Sequence, residues 1–215
     1  MLKIGHRGAK GYVAENTLAS FQKAIELGVD MIELDVYLSK DAIPVVIHDK
    51  TIDRTTSGSG LVANFEATAL QELGIPTLED VFLLVNHQCE INIEIKAFEA
   101  VESVLKLIDS SLFSKEKVVI SSFDWNGLQE VRFHDDSIRI GVLTEANIDL
   151  ALAFAKFIKA YSIHPYYHLL TKENVTQMQS KNFKVYPWTI NEPEDIIFVK
   201  SLHVDGIITD FPDRL

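Results

Sequence analysis

Residues 91–144 read INIEIKAFEAVESVLKLIDSSLFSKEKVVISSFDWNGLQEVRFHDDSIRIGVLT, and this stretch decides the fold class. Three short runs in it are rich in Ile and Val, and they predict strands at 91–96, 118–123 and 138–144. The two segments between the runs carry apolar residues at helical spacing, which predicts helices at about 99–110 and 125–133. Strands that alternate with helices are typical of a parallel sheet covered by helices.

The same alternation continues on both sides of this stretch. Toward the C-terminus it predicts strands at 159–165, 183–190 and 204–210. Helices are expected there at about 151–157 and 172–180, with a further helix that begins at Pro193. Toward the N-terminus, strands are expected at 2–5 and from Met31 onward. Helices should follow Asn16 or Thr17, either of which is a suitable N-cap, and Thr77, which opens a capping box.

Eight strands are predicted to lie parallel when the returning segment at 44–47 is left out. Eight such units indicate an α/β fold of the TIM (β/α)8 barrel type, with a last helix that is missing or very short. A doubly wound open sheet is the alternative, but neither nucleotide-binding glycine pattern is present. The Ser-, Thr- and Gly-rich residues 51–64 predict an excursion after the second strand. We expect one catalytic domain over residues 1–215.

Composition limits the classes of partner. Hydrophobic residues make up 47% of the 215 residues, so the chain is able to bury a large core. The formal net charge of −11 argues against nucleic acid and anionic membranes as partners. The single cysteine, Cys89, excludes an intramolecular disulfide. The sequence contains no signal segment and no membrane-spanning apolar run, so we expect a soluble, cytoplasmic protein without a membrane anchor.

Residues 31–49, MIELDVYLSKDAIPVVIHD, are predicted to form a strand, a tight turn at Lys40–Asp41 and a returning arm. Glu33 and Asp35 are two residues apart and therefore share one face of the strand. A turn of just two residues places Glu33 opposite His48. Neighbouring carboxylates repel each other unless a cation lies between them, and Mg²⁺ or Ca²⁺ suits such oxygen ligands. The alternative is a sheet whose polar face meets water.

The C-terminal ends of barrel strands meet at one mouth, where active sites are built. Two histidines, three carboxylates, two cationic side chains and an aromatic residue fall there: His6, Arg7, Glu33, Asp35, His48, Glu94, Lys96 and Trp188. Buried charges need partners, and this set is balanced only when a cation and an anionic substrate complete it. His164 and His168 are interpreted as rim residues. Asp205 and Asp210 are interpreted as structural loop residues that hold Arg214.

Several motifs follow one another in a recognisable order. Residues 6–49 contain HRG, ENT, E-x-D and HD. Further segments follow along the chain: RTTSGSG (54–60), PTLED (76–80), INIEIK (91–96), ISSFD (120–124), YPWTIN (186–191) and VDGIITDFPD (204–213). Together they resemble the glycerophosphodiester phosphodiesterase family over nearly the whole chain. Ala14 departs from the family, which usually has Pro before Glu-Asn-Thr, and the change loosens a loop without removing a reactive group.

The resemblance implies a TIM barrel with a small insertion at residues 49–75, as in the compact bacterial-type cytoplasmic members. It implies metal-dependent hydrolysis of glycerophosphodiesters, such as glycerophosphocholine and glycerophosphoethanolamine, to sn-glycerol 3-phosphate and an alcohol. In the family's proposed mechanism, the glycerol 2-hydroxyl attacks first and water then opens a cyclic phosphate. One alternative is a related phosphodiesterase with another head group, similar to a lysophospholipase D. The other is a non-catalytic phosphodiester-binding module.

By the same resemblance, the metal ligands are Glu33, Asp35 and Glu94, and the cofactor is one divalent ion, Mg²⁺ or Ca²⁺. His6 and His48 are the acid–base pair, because imidazole titrates near neutrality. The sequence does not say which of the two is the acid. It also does not decide whether the chain forms a homo-oligomer.

Four further residues are expected to contact the small-molecule substrate. Arg7 should bind the phosphate oxygens with its guanidinium fork, and Lys96 should add positive charge at the transferring group. Trp188 and Phe123 should supply apolar walls for the glycerol carbons. The alternative for these two aromatic residues is an ordinary role in filling the end of the barrel.

Overall fold

The computed structural model describes residues 1–215, and eight of its nine strands form a parallel sheet. The strands are β1 (Leu2–Gly5), β2 (Met31–Leu38), β3 (Pro44–Val46), β4 (Glu90–Ile95), β5 (Val118–Ser122), β6 (Arg139–Thr144), β7 (Ser162–Pro165), β8 (Lys184–Val185) and β9 (Gly206–Thr209). Their order across the sheet is β8-β7-β6-β5-β4-β2-β1-β9. The remaining strand, β3, runs antiparallel beside β2.

The sheet curls until its two end strands, β8 and β9, meet. The backbone N–H of Asp205 donates to the carbonyl of Val185 at 3.2 Å. The N–H of Ile208 donates to the Pro187 carbonyl at 3.0 Å, and the N–H of Ile190 donates to the Ile208 carbonyl at 3.0 Å. The result is a nearly closed barrel, so the prediction of a TIM barrel is confirmed and the doubly wound alternative is wrong.

Eight helices accompany the strands: α1 (Leu18–Glu26), α2 (Ala67–Glu72), α3 (Leu78–Val85), α4 (Val101–Ser110), α5 (Trp125–His134), α6 (Ile148–Phe157), α7 (Lys172–Ser180) and α8 (Pro193–Ser201). Thr17, rather than Asn16, caps α1. Thr77 and Asp80 form the predicted capping box of α3. After β9 there is only a short 3₁₀ turn at Pro212–Arg214. A span of the bilayer would need a longer and more apolar helix than any of these.

Two strands are much shorter than the sequence predicts. The strand expected at 159–165 begins only at Ser162, because Lys159 adopts a left-handed backbone with a φ of 52° in the turn after α6. The strand expected at 183–190 is limited to Lys184–Val185. Pro187 has no N–H with which to continue the ladder, so regular pairing stops just before it.

The hairpin of β2 and β3 has a longer turn than the sequence predicts. Val36 pairs with Val46, which leaves Ser39–Ile43 as the turn. The prediction that Glu33 lies directly opposite His48 is therefore wrong by one residue. Because β3 ends at Val46, the alternation of side chains along the strand does not determine the direction of His48. Its imidazole lines the mouth of the barrel.

Residues 49–75 carry a small core of their own. A β-bridge joins Thr51 to Leu61, and α2 follows. Apolar side chains of this segment pack with those of the β3 arm in one cluster: Val45, Ile47, Ile52, Val62, Ala67, Leu70 and Ile75. The packing holds the segment against the arm that carries His48.

The inside of the barrel contains an apolar layer below the mouth. One layer consists of Ile4, Met31, Val119, Tyr186 and Ile208. Two residues further along β1 and β2, on the same face, come His6 and Glu33. The layer therefore closes the floor beneath the polar ends of the strands, while the largest apolar cluster packs the helices against the outside of the sheet.

Candidate active site

Three carboxylates meet at the ends of two neighbouring strands. Glu33 and Asp35 lie on β2, and Glu94 lies beside Asp35 on β4. One oxygen from each side chain falls within 4.8 Å of the others, and all three residues are buried. Alternation along the strands puts these side chains on the inner face, so the predicted ligand residues come together.

The three carboxylates of this triad repel one another. Burial raises the pKa of Glu33 well above its ordinary value, and the charges of Asp35 and Glu94 add to the effect. Burial and the charge of Asp35 likewise raise the pKa of Glu94 to about 7. Oδ1 of Asp35 is buried without a hydrogen-bond partner. Three carboxylate oxygens, one of them unpartnered, are a donor set that fits a divalent cation such as Mg²⁺ or Ca²⁺.

Two cationic side chains flank the triad. Nζ of Lys96 donates to Oε1 of Glu94 at 2.6 Å and lies 3.5 Å from Oδ1 of Asp35. The backbone N–H of Arg7 donates to Oε2 of Glu33 at 2.9 Å. Nε of Arg7 lies 3.2 Å from Oδ2 of Asp35. When all three carboxylates are ionised, the two cations leave an excess of negative charge, which a metal ion would balance.

The guanidinium of Arg7 is held by carboxylates in this structure. Besides Asp35, it contacts Glu15, whose Oε1 accepts a hydrogen bond from Nη1 at 2.7 Å. Asn16 supports the same region, because its Nδ2 donates to Oδ2 of Asp35 at 2.9 Å. Asn16 thus orients a predicted metal ligand instead of capping α1. The predicted phosphate contact of Arg7 would have to share the guanidinium with these acids.

His6 is oriented by the end of the last strand. Its Nδ1 lies 2.6 Å from Oδ1 of Asp210. Asn191 holds that carboxylate by donating from Nδ2 to Oδ2 at 2.8 Å. The prediction that Asp210 holds Arg214 is therefore wrong. Arg214 instead donates to the backbone carbonyl of Asn191 at 2.8 Å. The pairing with Asp210 leaves Nε2 as the nitrogen that faces the reaction.

His48 is oriented through a line of charges that we call the Arg54 bridge, formed by Asp49, Arg54 and Glu15. Nδ1 of His48 lies 2.7 Å from Oδ1 of Asp49. Nε of Arg54 donates to Oδ2 of Asp49 at 2.6 Å, and Nη2 donates to Oε1 of Glu15 at 2.7 Å. The same oxygen of Glu15 binds Arg7. The bridge therefore connects the surroundings of His48 to those of the acidic triad.

Both imidazoles have a pKa below the ordinary value of 6.5. Burial lowers the pKa of His6, and the hydrogen bond to Asp210 only partly opposes it. Burial also lowers the pKa of His48, against the opposing charge of Asp35 and the hydrogen bond to Asp49. Both rings are therefore largely neutral near pH 7. A neutral imidazole can accept a proton, and after protonation it can donate one.

One cavity of about 110 Å³, the inner cavity, gathers most of the predicted site. Eight of the nine predicted residues line it: His6, Arg7, Glu33, His48, Glu94, Lys96, Phe123 and Trp188. The ninth, Asp35, is almost fully buried among them. The rings of Phe123 and Trp188 meet edge to face at 5.4 Å, and Nε1 of Trp188 donates to the carbonyl of His164 at 2.8 Å. A rigid aromatic wall thus faces the charged side.

A model of the glycerophosphoryl diester phosphodiesterase family matches residues 6–214. The chain belongs to this family. It is 39% identical to the glycerophosphodiester phosphodiesterase of Caldanaerobacter subterraneus subsp. tengcongensis, over 100% of this chain and 96% of the relative. It is 36% identical to the glycerophosphodiester phosphodiesterase of Bacillus altitudinis, again over 100% of this chain and 96% of the relative. The resemblance in the sequence and the enzyme class are thereby confirmed.

Solved members of the phosphodiesterase family share the fold. The glycerophosphodiester phosphodiesterase of Thermotoga maritima has a TM-score of 0.88 and 32% identity, covering 99% of this chain and 96% of its own. A phosphodiesterase of Oleispira antarctica, solved in complex with the product sn-glycerol-3-phosphate, has a TM-score of 0.90 and 25% identity. That alignment covers 98% of this chain and 93% of the other.

Some residues that shape the site of this glycerophosphodiesterase were not predicted from the sequence. Asp210, Asp49 and Arg54 hold the two imidazoles, yet none was a candidate for that role. The role of Asp49 could have been predicted from its position directly after the candidate histidine His48. His164 was interpreted as a rim residue, but it is completely buried inside the barrel with Nε2 2.8 Å from Oγ of Ser162. Burial lowers its pKa to about 3, so it stays neutral.

The affinity of the acidic triad for a divalent ion is expected to depend on pH through Glu94. In the metal-free protein its pKa is about 7, against 4.5 as the ordinary value, so between these pH values the folded state binds an extra proton. This contribution to the free energy of unfolding is complete below about pH 4.5 and is lost as pH rises to about 7. A bound ion displaces this proton and that of Glu33, so affinity should rise about tenfold or more per pH unit over this range. Thermal-shift titrations with Mg²⁺ or Ca²⁺ check it, and a flat profile would contradict it.

Proposed function

We propose that this chain hydrolyses glycerophosphodiesters to sn-glycerol 3-phosphate and an alcohol, with a divalent metal ion and with His6 and His48 as the acid–base pair. The observation that carries the proposal is the inner cavity, which two imidazoles, each paired with an aspartate, line together with the acidic triad's Glu33 and Glu94. The structural neighbour bound to sn-glycerol-3-phosphate supports the substrate class. We propose the cytoplasm as the place of action, as the resemblance to the compact bacterial-type members implies.

In this proposal Glu33, Asp35 and Glu94 hold the cation, which supplies Lewis-acid stabilisation of a phosphoryl oxygen when bound. One imidazole takes the proton of the attacking oxygen as its bond to phosphorus forms. The other gives a proton to the alkoxide as the second phosphorus–oxygen bond breaks. As the family resemblance implies, the first attacking group is the glycerol 2-hydroxyl, and water opens the cyclic phosphate in the second step.

The remaining residues of the cavity bind and orient. Lys96 places its ammonium beside the triad, where negative charge grows on the transferring phosphoryl group. Arg7 supports the same charge while it fixes Asp35 through Nε. Phe123 and Trp188 form the apolar wall for the glycerol carbons. We propose a single catalytic domain over residues 1–215, with residues 49–75 as an insertion that positions the His48 arm.

Release of glycerol 3-phosphate from glycerophosphocholine tests the proposal. Excess EDTA should lower the rate at least about a hundredfold, because the buried carboxylates then lack the cation that stabilises the phosphoryl charge. Added Mg²⁺ or Ca²⁺ should restore it, and the more effective ion identifies the cofactor. EDTA that has been saturated with Ca²⁺ beforehand is the matched control. Undiminished hydrolysis in excess metal-free EDTA would contradict the metal role.

A further inference from the structure

A second and larger cavity lies beside the inner one. This outer groove has a volume of about 520 Å³ and is lined by residues 10–17, 46–48, 54–56 and 73–75. It runs between the loop after β1 and the insertion at residues 49–75, and it shares His48 with the inner cavity. None of the reaction steps above uses its outer part.

The sizes of the two cavities suggest how a diester is divided between them. Sites for small molecules usually measure about 300–1,000 Å³, so the inner cavity of about 110 Å³ suits only one end of the substrate. The proposed reaction puts the phosphoryl group and the glycerol there. The alcohol on the other side of the phosphorus must leave past one of the imidazoles, and the outer groove opens at His48.

Among the charged residues that line the outer groove, cations outnumber carboxylates, although the whole chain carries −11. Its lining has two cations, Lys10 and Arg54, and one carboxylate, Glu15. Burial alone would raise the pKa of Glu15, but hydrogen bonds from Arg54 and Arg7 lower it to about 2, so it remains charged. Because two guanidinium groups already bind Glu15, that carboxylate has little charge left to attract a cationic ligand.

Lys10 is the cation with the weakest attachment in the groove. Its Nζ lies 3.9 Å from Oε2 of Glu15, which is longer than a hydrogen bond. Asp210 also feels its charge, but that carboxylate is held by His6 and Asn191. The side chain of Lys10 is one third exposed, so it is accessible to a ligand in the groove.

We propose that the outer groove binds the head-group alcohol of the diester and that Lys10 makes it prefer head groups that carry a phosphate over those that carry a quaternary ammonium. The inference rests on the proposed function, since it assigns the leaving side of the same substrate. An anionic head group gains an ion pair with Lys10, whereas choline is repelled by the same ammonium. Arg54 and Glu15 add little to either case, because each already binds oppositely charged partners.

The test compares kcat/KM for glycerophosphoinositol 4-phosphate, glycerophosphoinositol and glycerophosphocholine at low ionic strength. The unmodified enzyme should favour the phosphorylated substrate over the choline substrate by about two- to fivefold, as expected for a partly exposed ion pair. Lys10→Met should reduce this ratio toward one, and Lys10→Glu should invert it. Lys50→Glu is the matched control, because Lys50 is exposed and does not line the groove, so the same charge change there should leave the ratio unaltered.

The outcomes separate this inference from the proposed function. If Lys10→Glu shows the same substrate ratio as Lys50→Glu, or if the unmodified enzyme prefers choline, the role of Lys10 is overturned while the hydrolysis stands. If no diester is cleaved by any form of the protein, the proposed function falls and the assignment of the groove falls with it. Melting temperatures of the variants exclude misfolding as the cause of a changed ratio.

Discussion

Replacement of Glu33 by glutamine should lower the rate of diester hydrolysis by about a thousandfold or more and leave the metal-free protein at least as stable as before. The rate falls because one ligand of the stabilising cation is lost, and several kcal/mol of electrostatic stabilisation correspond to that factor. Stability is kept because Glu33 is a buried carboxylate whose pKa is raised by burial and by two acidic neighbours. Glutamine still accepts the hydrogen bond that the Arg7 N–H now donates to Glu33.

Two measurements decide this first prediction. Activity is followed as glycerol 3-phosphate release, and stability as melting temperature with and without millimolar Mg²⁺ or Ca²⁺. The metal should stabilise the unmodified protein and fail to stabilise the variant, since a ligand that binds only the folded state raises the midpoint. Glu102→Gln is the control, because Glu102 is an exposed acid paired with Lys106 on α4. Metal-induced stabilisation of the same size in Glu33→Gln would contradict the assignment of the triad.

Replacement of either histidine by asparagine should cost about a hundredfold to ten-thousandfold in kcat, the usual contribution of a positioned acid or base. His6 and His48 line the same cavity, each with Nδ1 held by an aspartate, so neither can be replaced by the other. His134→Asn should leave the rate unaltered, because His134 is an exposed residue on α5 that pairs with Glu130. Full activity in His48→Asn would remove that residue from the mechanism.

A substrate with a good leaving group should tell the acid from the base. In sn-glycerol 3-(p-nitrophenyl) phosphate the departing phenolate needs no proton. The variant that lacks the general acid should therefore recover most of its activity with this substrate, and the variant that lacks the general base should stay slow. Equal losses of both variants with both substrates would show that neither residue protonates the leaving group.

The architecture could be predicted because it depends on local pattern. Strands 91–96 and 118–123 and helix 172–180 are visible as short-range periodicity, and the structure places them within about a residue of the expected bounds. The hairpin register could not be predicted in this way. It depends on a turn of five residues at Ser39–Ile43, in which Ala42 adopts a left-handed backbone with a φ of 59°. The turn contains no glycine or asparagine that would predict this conformation.

The supporting contacts of the site were harder to foresee than its main residues. His6 and Asp210 are 204 positions apart, and Arg54 and Glu15 are 39 apart. Only closure of the barrel brings the first pair together, and only the packing of the excursion brings the second. Pattern within a window of a few residues contains no information about such pairs, whereas the spacing of Glu33 and Asp35 on one strand does.

Under the proposed assignment of the outer groove, the Arg54 bridge joins the residues that hold His48 to the residues that contact the head group. The hydrogen bonds that hold His48 run through Asp49 and Arg54 and then leave the excursion for Glu15. The following residues, up to position 75, supply walls of the outer groove and a small apolar core. Their length and composition are therefore free to vary as long as that core still seats on the arm. Under the proposed assignment of the groove, exchange of residues 55–75 should alter how the head group fits and leave the hydrogen bonds of His48 in place.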